Sequence, residues 1–157
     1  MPMRAKDAIP IGATRLRRDH MAPKQARAAV AWWLANDLAT VPDVQQAVSE
    51  LVTNACEHVE GGPDREWVTV SVGRGNGFFR VEVTDPGAFV GEPHMAESAP
   101  EAESGRGIRI VAELSNGCWG TFVTAADHRI VWADVKFRTV RPNAESMCLE
   151  AHHSATT

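Results

Sequence analysis

Three absences narrow the function of this 157-residue chain. Cysteine is scarce: Cys56, Cys118 and Cys148 are far apart and form no Cys-x-x-Cys pair, which argues against a disulfide framework or a zinc site. Long apolar runs are also missing, since the longest covers only residues 28–35, and residues 1–11 lack the apolar core of a signal peptide. We therefore predict a cytoplasmic protein with reduced thiols that does not enter a membrane.

An excess of positive charge is missing as well. The formal net charge is −4, which argues against a general nucleic-acid binder, because such proteins need a cationic face to displace counterions from phosphates. The charge is uneven, however: residues 1–27 hold seven basic and two acidic side chains, a net charge of +5, and the remaining residues carry −9. Such asymmetry is typical of a solvated basic tail or of a binding surface, and both alternatives stay open.

The length and the apolar fraction of 44% fit one globular domain. We predict a flexible N-terminal arm over residues 1–12, a domain over 13–138 and a flexible C-terminal tail over 139–157. Helical spacing of apolar residues predicts helices over residues 22–38, 43–59 and 108–114. Alternation predicts strands over residues 13–17, 67–73, 78–84, 121–125 and 129–137, with a hairpin turn at residues 75–77.

The second predicted helix carries two polar side chains that share one face. Glu50 and Asn54 are one turn apart, opposite an apolar stripe. A carboxylate can take a proton from a nucleophile, and an amide oxygen is a suitable ligand for Mg²⁺. A solvated helix face is the more common meaning of such a pair taken alone. The stripe consists of Val44, Val48, Leu51, Val52, Ala55 and Val59.

Two further segments have the residue types of a nucleotide site. Asp85 ends a predicted strand and Gly87 follows it; the acid can accept a hydrogen bond from an exocyclic amine, and glycine lets a base approach the backbone. Gly105 and Gly107 precede a predicted helix, where bare N–H groups can bind an anion. Taken singly, Asp-Pro-Gly is an ordinary turn and Gly-x-Gly is a weak signal. The chain contains no Walker-type phosphate loop.

The order of these segments resembles the GHKL ATPase superfamily, and most closely its small stand-alone branch of anti-sigma-factor serine kinases, the RsbW-like proteins. Residues 50–58 are similar to the N-box, residues 85–87 to the first glycine box and residues 104–108 to the second. The resemblance covers about residues 13–137. It implies a Bergerat-type fold: an α/β two-layer sandwich with a mixed or antiparallel sheet of about five strands and helices on one face.

The resemblance also implies a role for each matched residue, with ATP and Mg²⁺ as cofactors. Asn54 would ligate Mg²⁺, Asp85 would bind the adenine amine, Gly87 would give the base room, and Glu50 would be the general base. Gly105 and Gly107 would offer N–H groups to the phosphates. Arg106, between them, is a candidate for the counter-charge to the phosphates, and a solvated residue at the helix start is the alternative. The implied ATP-binding positions are Asn54, His58, Asp85, Gly87, Gly105, Arg106, Gly107 and Ile108.

Two features depart from the family pattern. Ile130 stands where the family usually has a threonine that helps to hold adenine, so that a hydroxyl is lost from the expected adenine site. The expected lid, residues 88–103, carries four glutamates and no basic side chain, which would repel a triphosphate unless Arg106, Arg109 or the metal offsets it.

The resemblance implies an anti-sigma factor with serine/threonine kinase activity toward an anti-anti-sigma-type protein. The expected partners are that protein and a sigma factor, together with a second copy of the chain, because relatives are often dimers. We interpret Arg15, Arg17, Arg18 and Arg27 as a docking surface for an acidic protein. The alternative is a non-catalytic nucleotide-binding module that sequesters a regulatory partner.

Overall fold

The computed structural model describes residues 8–57, 66–85 and 103–138. These ranges contain five strands and three helices, in the order β-α-α-β-β-α-β-β. They are β1 (Ile9–Arg17), α1 (Ala22–Trp33), α2 (Val41–Glu57), β2 (Trp67–Arg74), β3 (Phe78–Asp85), α3 (Glu103–Leu114), β4 (Trp119–Val123) and β5 (Arg129–Lys136).

The five strands form one sheet in the order β1-β2-β3-β5-β4. Every neighbouring pair is antiparallel, so the predicted five-stranded sheet is confirmed in its antiparallel form. The β2–β3 hairpin turns at residues 75–77 as predicted, where Gly77 has a φ of 84°, a conformation that glycine adopts without strain. Helix α2 packs between α1 and α3 and contacts β2, β3 and β5.

The core lies between this sheet and the helices. Because side chains alternate along a strand, every second residue of β2, β3 and β5 faces the helices. Helix α2 contributes its predicted apolar stripe to the same layer, and each fully buried aliphatic side chain stabilises the fold by about 1.5–3 kcal/mol. The shared core includes Val44, Val48, Leu51, Val52, Val68, Val70, Val72, Phe79, Val81, Val83, Val131, Ala133 and Val135.

Several element boundaries differ from the predictions. Helix α1 ends at Trp33 rather than at residue 38, because Leu34 leaves the helical conformation and its N–H closes the last turn on the Val30 carbonyl. Helix α3 begins at Glu103, five residues before the predicted start. Strand β1 begins at Ile9 and pairs with Arg74, so residues 9–12 belong to the sheet and not to an N-terminal arm. The predicted tail, residues 139–157, lies outside the described residues.

A buried ion pair lies on the sheet face opposite the helices. Arg80 donates from Nε to Asp134 Oδ1 at 2.7 Å and from Nη2 to Oδ2 at 2.9 Å. The two side chains are only 3% and 7% exposed, and the guanidinium carbon lies 4.7 Å from the centroid of the Trp132 ring. The hydrogen bond to Asp134 raises the pKa of Arg80. This pair therefore joins β3 to β5 by charge, hydrogen bonds and stacking.

No helix within the described ranges is both long enough and apolar enough to cross a bilayer.

Candidate functional site

The side chains of Glu50 and Asn54 are both partly exposed on α2. The stripe residues Val44, Val48, Leu51 and Val52 are buried on the other side of the helix, which confirms the amphipathic pattern predicted for this segment. Of the other two stripe residues, Ala55 is half-buried against the core and Val59 lies outside the described residues. The two polar side chains are thus available to a ligand while α2 remains anchored.

Glu50 lies directly against the backbone of α3. A Cβ atom built on Gly107 would lie 2.7 Å from Glu50 Oε2, closer than real Cβ contacts allow. The absence of a side chain at residue 107 therefore lets the carboxylate lie on the helix. The predicted general base and the predicted second glycine box, 57 residues apart in the sequence, meet at this point.

The glycine pair lies inside α3 and not before it, so the predicted helix start at Ile108 is wrong. Gly105 is in the first turn and Gly107 in the second. Only the first N–H groups of a helix lack an intrahelical acceptor, so Gly105 retains a donor for an anion, while the Gly107 N–H is within reach of the Glu103 carbonyl. The cause is tertiary packing: Ile108 and Val111 are buried against the core and hold the helix despite the glycines.

Asp85 ends β3 at the edge of the core and is 3% exposed. Arg18 Nη1 lies 3.7 Å from Asp85 Oδ1, and Arg129 stands opposite Asp85 in the β3–β5 register. Cys56 on α2 lies within electrostatic influence of Arg18 and Asp85, and burial raises its pKa to about 11. The thiol is therefore neutral at physiological pH and does not add a charge to this cluster.

Comparison with known proteins identifies the arrangement. The family model of the histidine kinase-like ATPase domain matches residues 15–133. The chain belongs to this family. Its fold is also similar to a crystal structure of the RsbU and RsbW domains of a Mycobacterium tuberculosis protein, with a TM-score of 0.59 and 20% identity over 83% of this chain. The match spans 34% of that longer chain. No curated protein matches this sequence.

In the histidine kinase-like ATPase fold of this chain, the strand register places Ile130 and Asp85 on different faces of the sheet. Ile130 pairs with Thr84 and Phe122 and faces the side of the sheet opposite Asp85. The residue that does face Asp85 is Arg129, which is 6% exposed and donates from Nε to Thr121 Oγ1 at 3.3 Å. Sequence reasoning missed Arg129. It precedes the core residues Val131 and Ala133 at a spacing of two residues, and this spacing indicated that its side chain faces the same side of the strand as theirs.

The four arginines of the predicted docking surface are not brought together. Arg15 and Arg17 lie over the Trp67 ring, 5.0 and 5.2 Å from its centroid, on the sheet face without helices. Arg18 turns to the other face, and its side chain is only 7% exposed. Arg27 on α1 donates from Nη1 to Ser49 Oγ at 2.6 Å, beside Glu50.

The remaining predicted site residues differ in where the structure places them. Arg106 is exposed on α3, whereas the Ile108 side chain is 1% exposed and belongs to the core, so only its backbone could reach a nucleotide. Glu103, predicted as the end of the lid, is the first residue of α3. His58, Gly87 and lid residues 88–102 lie outside the described residues. Within the described ranges, no group of three or more His, Cys, Asp and Glu side chains could hold a metal.

Proposed function

We propose that this protein binds Mg-ATP and transfers its γ-phosphoryl group to a serine or threonine of an anti-anti-sigma-type protein, and that it sequesters a sigma factor. Membership of the histidine kinase-like ATPase family supports nucleotide binding. The observation that carries the proposal is the contact of the Glu50 carboxylate with Gly107, because it joins a proton acceptor to a helix start that can bind phosphate.

The nucleotide would lie between α2, α3 and the end of β3. Asp85 would accept a hydrogen bond from the adenine amine, and the first turn of α3 would bind phosphate oxygens through the Gly105 N–H, with Arg106 adding positive charge. Asn54 would hold Mg²⁺ through its amide oxygen. Since Mg²⁺ usually keeps waters and phosphate oxygens as its other ligands, one protein ligand suffices.

Phosphoryl transfer requires few protein groups besides those that bind the nucleotide and Mg²⁺. Phosphoryl transfer proceeds through a loose transition state, so positioning and charge neutralisation dominate catalysis. Glu50 would accept the proton of the attacking hydroxyl as the phosphoryl group leaves ADP. Arg27, bonded to Ser49, lies next to Glu50 on the α1 side and would help to seat the incoming protein.

Asn54→Ala is expected to abolish the Mg²⁺-dependent part of nucleotide binding. ATP at 100 times its Kd would stabilise the wild-type protein by about 2.7 kcal/mol and raise its melting temperature, and the variant should lose the difference between Mg²⁺ and EDTA. Thermal unfolding and calorimetric titration measure both. Gln46→Ala, an exposed substitution on the same helix, is the matched control. Absence of stabilisation of the wild type at millimolar Mg-ATP would refute nucleotide binding.

Gly107→Ala should separate stability from activity. Alanine favours a helix over glycine by about 1 kcal/mol, so the melting temperature should not fall. The new methyl group would nevertheless push the Glu50 carboxylate aside, because a Cβ atom would lie 2.7 Å from Oε2. A displacement of this kind is expected to slow phosphoryl transfer about 10²-fold. Transfer at the wild-type rate would show that the position of Glu50 is irrelevant.

The exposed pair Arg15 and Arg17, on Trp67, would dock an acidic partner, and Arg18 is left out because it is buried. Reversal of both charges to glutamate should weaken partner binding at low salt by about 10-fold or more and flatten its salt dependence. Lys24→Glu, an exposed reversal at the start of α1, is the control. Binding and salt dependence equal to the wild type would favour a solvated basic segment instead.

A further inference from the structure

The sequence contains the pair Asn-Gly twice, at residues 76–77 and 116–117, and the structure places both pairs in exposed turns. An asparagine followed by glycine can lose its side-chain amide, because the glycine nitrogen can attack the asparagine Cγ atom without hindrance from a side chain of its own. The attacking nitrogen must lose its proton and turn away from any hydrogen-bond acceptor. The hydrogen bonding of the glycine N–H group therefore determines how readily each pair reacts.

The pair at residues 116–117 closes the C-terminal end of α3. The Asn116 N–H donates to the Glu113 carbonyl at 3.2 Å, and the Gly117 N–H donates to the Ala112 carbonyl at 2.8 Å. Asn116 has a φ of 50°, the left-handed conformation of a Schellman helix end. The Gly117 nitrogen is thus engaged in the hydrogen bond that ends the helix, and attack on Asn116 requires this end of α3 to open first.

The pair formed by Asn76 and Gly77 lies in the β2–β3 hairpin. Within the residues that the structure describes, neither the Gly77 N–H nor the Asn76 side chain forms a hydrogen bond. The hairpin is closed by the flanking residues instead, since the Gly75 N–H donates to the Phe78 carbonyl at 2.9 Å. Gly77 accepts a hydrogen bond from the Phe137 N–H at 3.0 Å, but it does so through its carbonyl, which leaves its nitrogen open to reaction.

We propose that Asn76 is a site of spontaneous deamidation and that the end of α3 protects Asn116 from the same reaction. A hydroxide ion removes the proton of the Gly77 N–H, and the nitrogen then forms a bond to Asn76 Cγ. The bond from Cγ to the side-chain nitrogen breaks, and that nitrogen leaves as ammonia with a proton from water. Water then opens the five-membered succinimide at either of its carbonyls, which gives aspartate or isoaspartate at residue 76.

The modification adds a negative charge to the hairpin, and the isoaspartate form also lengthens its backbone by a methylene group. The longer backbone would directly precede Gly77, whose carbonyl accepts from the Phe137 N–H and so joins the hairpin to the chain beyond β5. Isoaspartate at residue 76 therefore weakens this contact, whereas aspartate keeps the normal backbone. The hairpin holds none of the residues assigned above to nucleotide binding, so the inference is independent of the proposed function.

The experiment follows both asparagines in one sample of the folded wild-type protein at mildly alkaline pH. Proteolysis at low pH and mass spectrometry of the peptides measure deamidation at each asparagine over time, and methylation by protein isoaspartyl methyltransferase detects isoaspartate. We expect Asn76 to react about 10-fold or more faster than Asn116, the factor that one additional hydrogen bond imposes. In guanidinium chloride, where the fold is lost, the two rates should agree within about twofold, because both asparagines precede glycine.

Two variants identify the residue that is modified. Asn76→Ser should remove nearly all the isoaspartate that the folded protein forms, whereas Asn116→Gly, which suits the positive φ, should leave it at the wild-type amount. Thermal melting checks the fold of each variant. Equal rates at the two asparagines in the folded wild type, or faster reaction of Asn116, would overturn the proposal. A difference that persists unchanged in guanidinium chloride would also overturn it, because the neighbouring sequence and not the fold would then be the cause.

Discussion

Glu50→Gln is expected to lower phosphoryl transfer to the partner protein by about 10²- to 10⁴-fold, the usual contribution of a general base. Glutamine has nearly the same size and keeps the contact with Gly107, but its amide cannot take the hydroxyl proton. Affinity for Mg-ATP should stay within about twofold of the wild type. Single-turnover transfer of radiolabelled γ-phosphate measures the first quantity, and calorimetric titration measures the second.

Glu57→Gln provides the matched control, because it makes the same chemical change on the same helix at an exposed position. This control should transfer phosphate at the wild-type rate. Undiminished transfer by Glu50→Gln would show that another group removes the proton. A wild-type protein that binds Mg-ATP and its partner but transfers no phosphate would instead establish the non-catalytic module.

The largest loss of stability should follow Asp134→Ala, with a decrease of about 3–5 kcal/mol in the free energy of unfolding. Removal of the carboxylate leaves the Arg80 guanidinium charged at 3% exposure, stacked on Trp132, without the acceptor of its two hydrogen bonds. Denaturant unfolding at several pH values between 6 and 8 measures the change. An arginine stays protonated throughout this range even without Asp134, so deprotonation does not relieve the cost.

Two companion variants identify the cause. Replacement of both partners, Arg80→Met with Asp134→Leu, should recover most of the lost stability, since neither charge of the pair is then left buried without its partner. Arg138→Ala breaks a second bidentate pair, with Asp43, at a position where the arginine side chain is 65% exposed, and solvent screening should keep its effect small. Equal losses for Asp134→Ala and Arg138→Ala would contradict the role of burial.

Much of the fold could be predicted from local pattern. The β2–β3 hairpin was predictable because the alternation of its strands agrees with the glycines of its turn, and α2 because its apolar stripe is regular, although the helix begins at Val41, two residues before the predicted start. The start of α3 was not, since Gly105 and Gly107 locally disfavour a helix and only the burial of Ile108 and Val111 against the sheet overrides them. The two glycines were therefore predicted to precede a helix that in the structure contains them.

The placement of candidate site residues could be predicted where they lie on the same helix. It was harder to predict where residues adjacent in the sequence point to opposite faces of the sheet. Glu50 and Asn54 share a helix face at a spacing that can be read directly. Arg17 and Arg18 were grouped because they are adjacent, but the pleat of β1 directs them to opposite faces. Arg129 was overlooked for the converse reason: its contact with the Asp85 region depends on the β3–β5 register, which is not local.

The fit of Glu50 on Gly107 constrains how the sequence could vary. With 2.7 Å between a Cβ atom at residue 107 and Glu50 Oε2, the residue at position 107 determines where the Glu50 carboxylate can lie. A side chain at 107 would displace the end of the Glu50 side chain and leave its stem in place, because the other Glu50 atoms lie 3.7 Å or more from that Cβ position. A designer who replaces Gly107 to stabilise α3 would therefore gain helix stability and, in the same step, move the acid on the neighbouring helix.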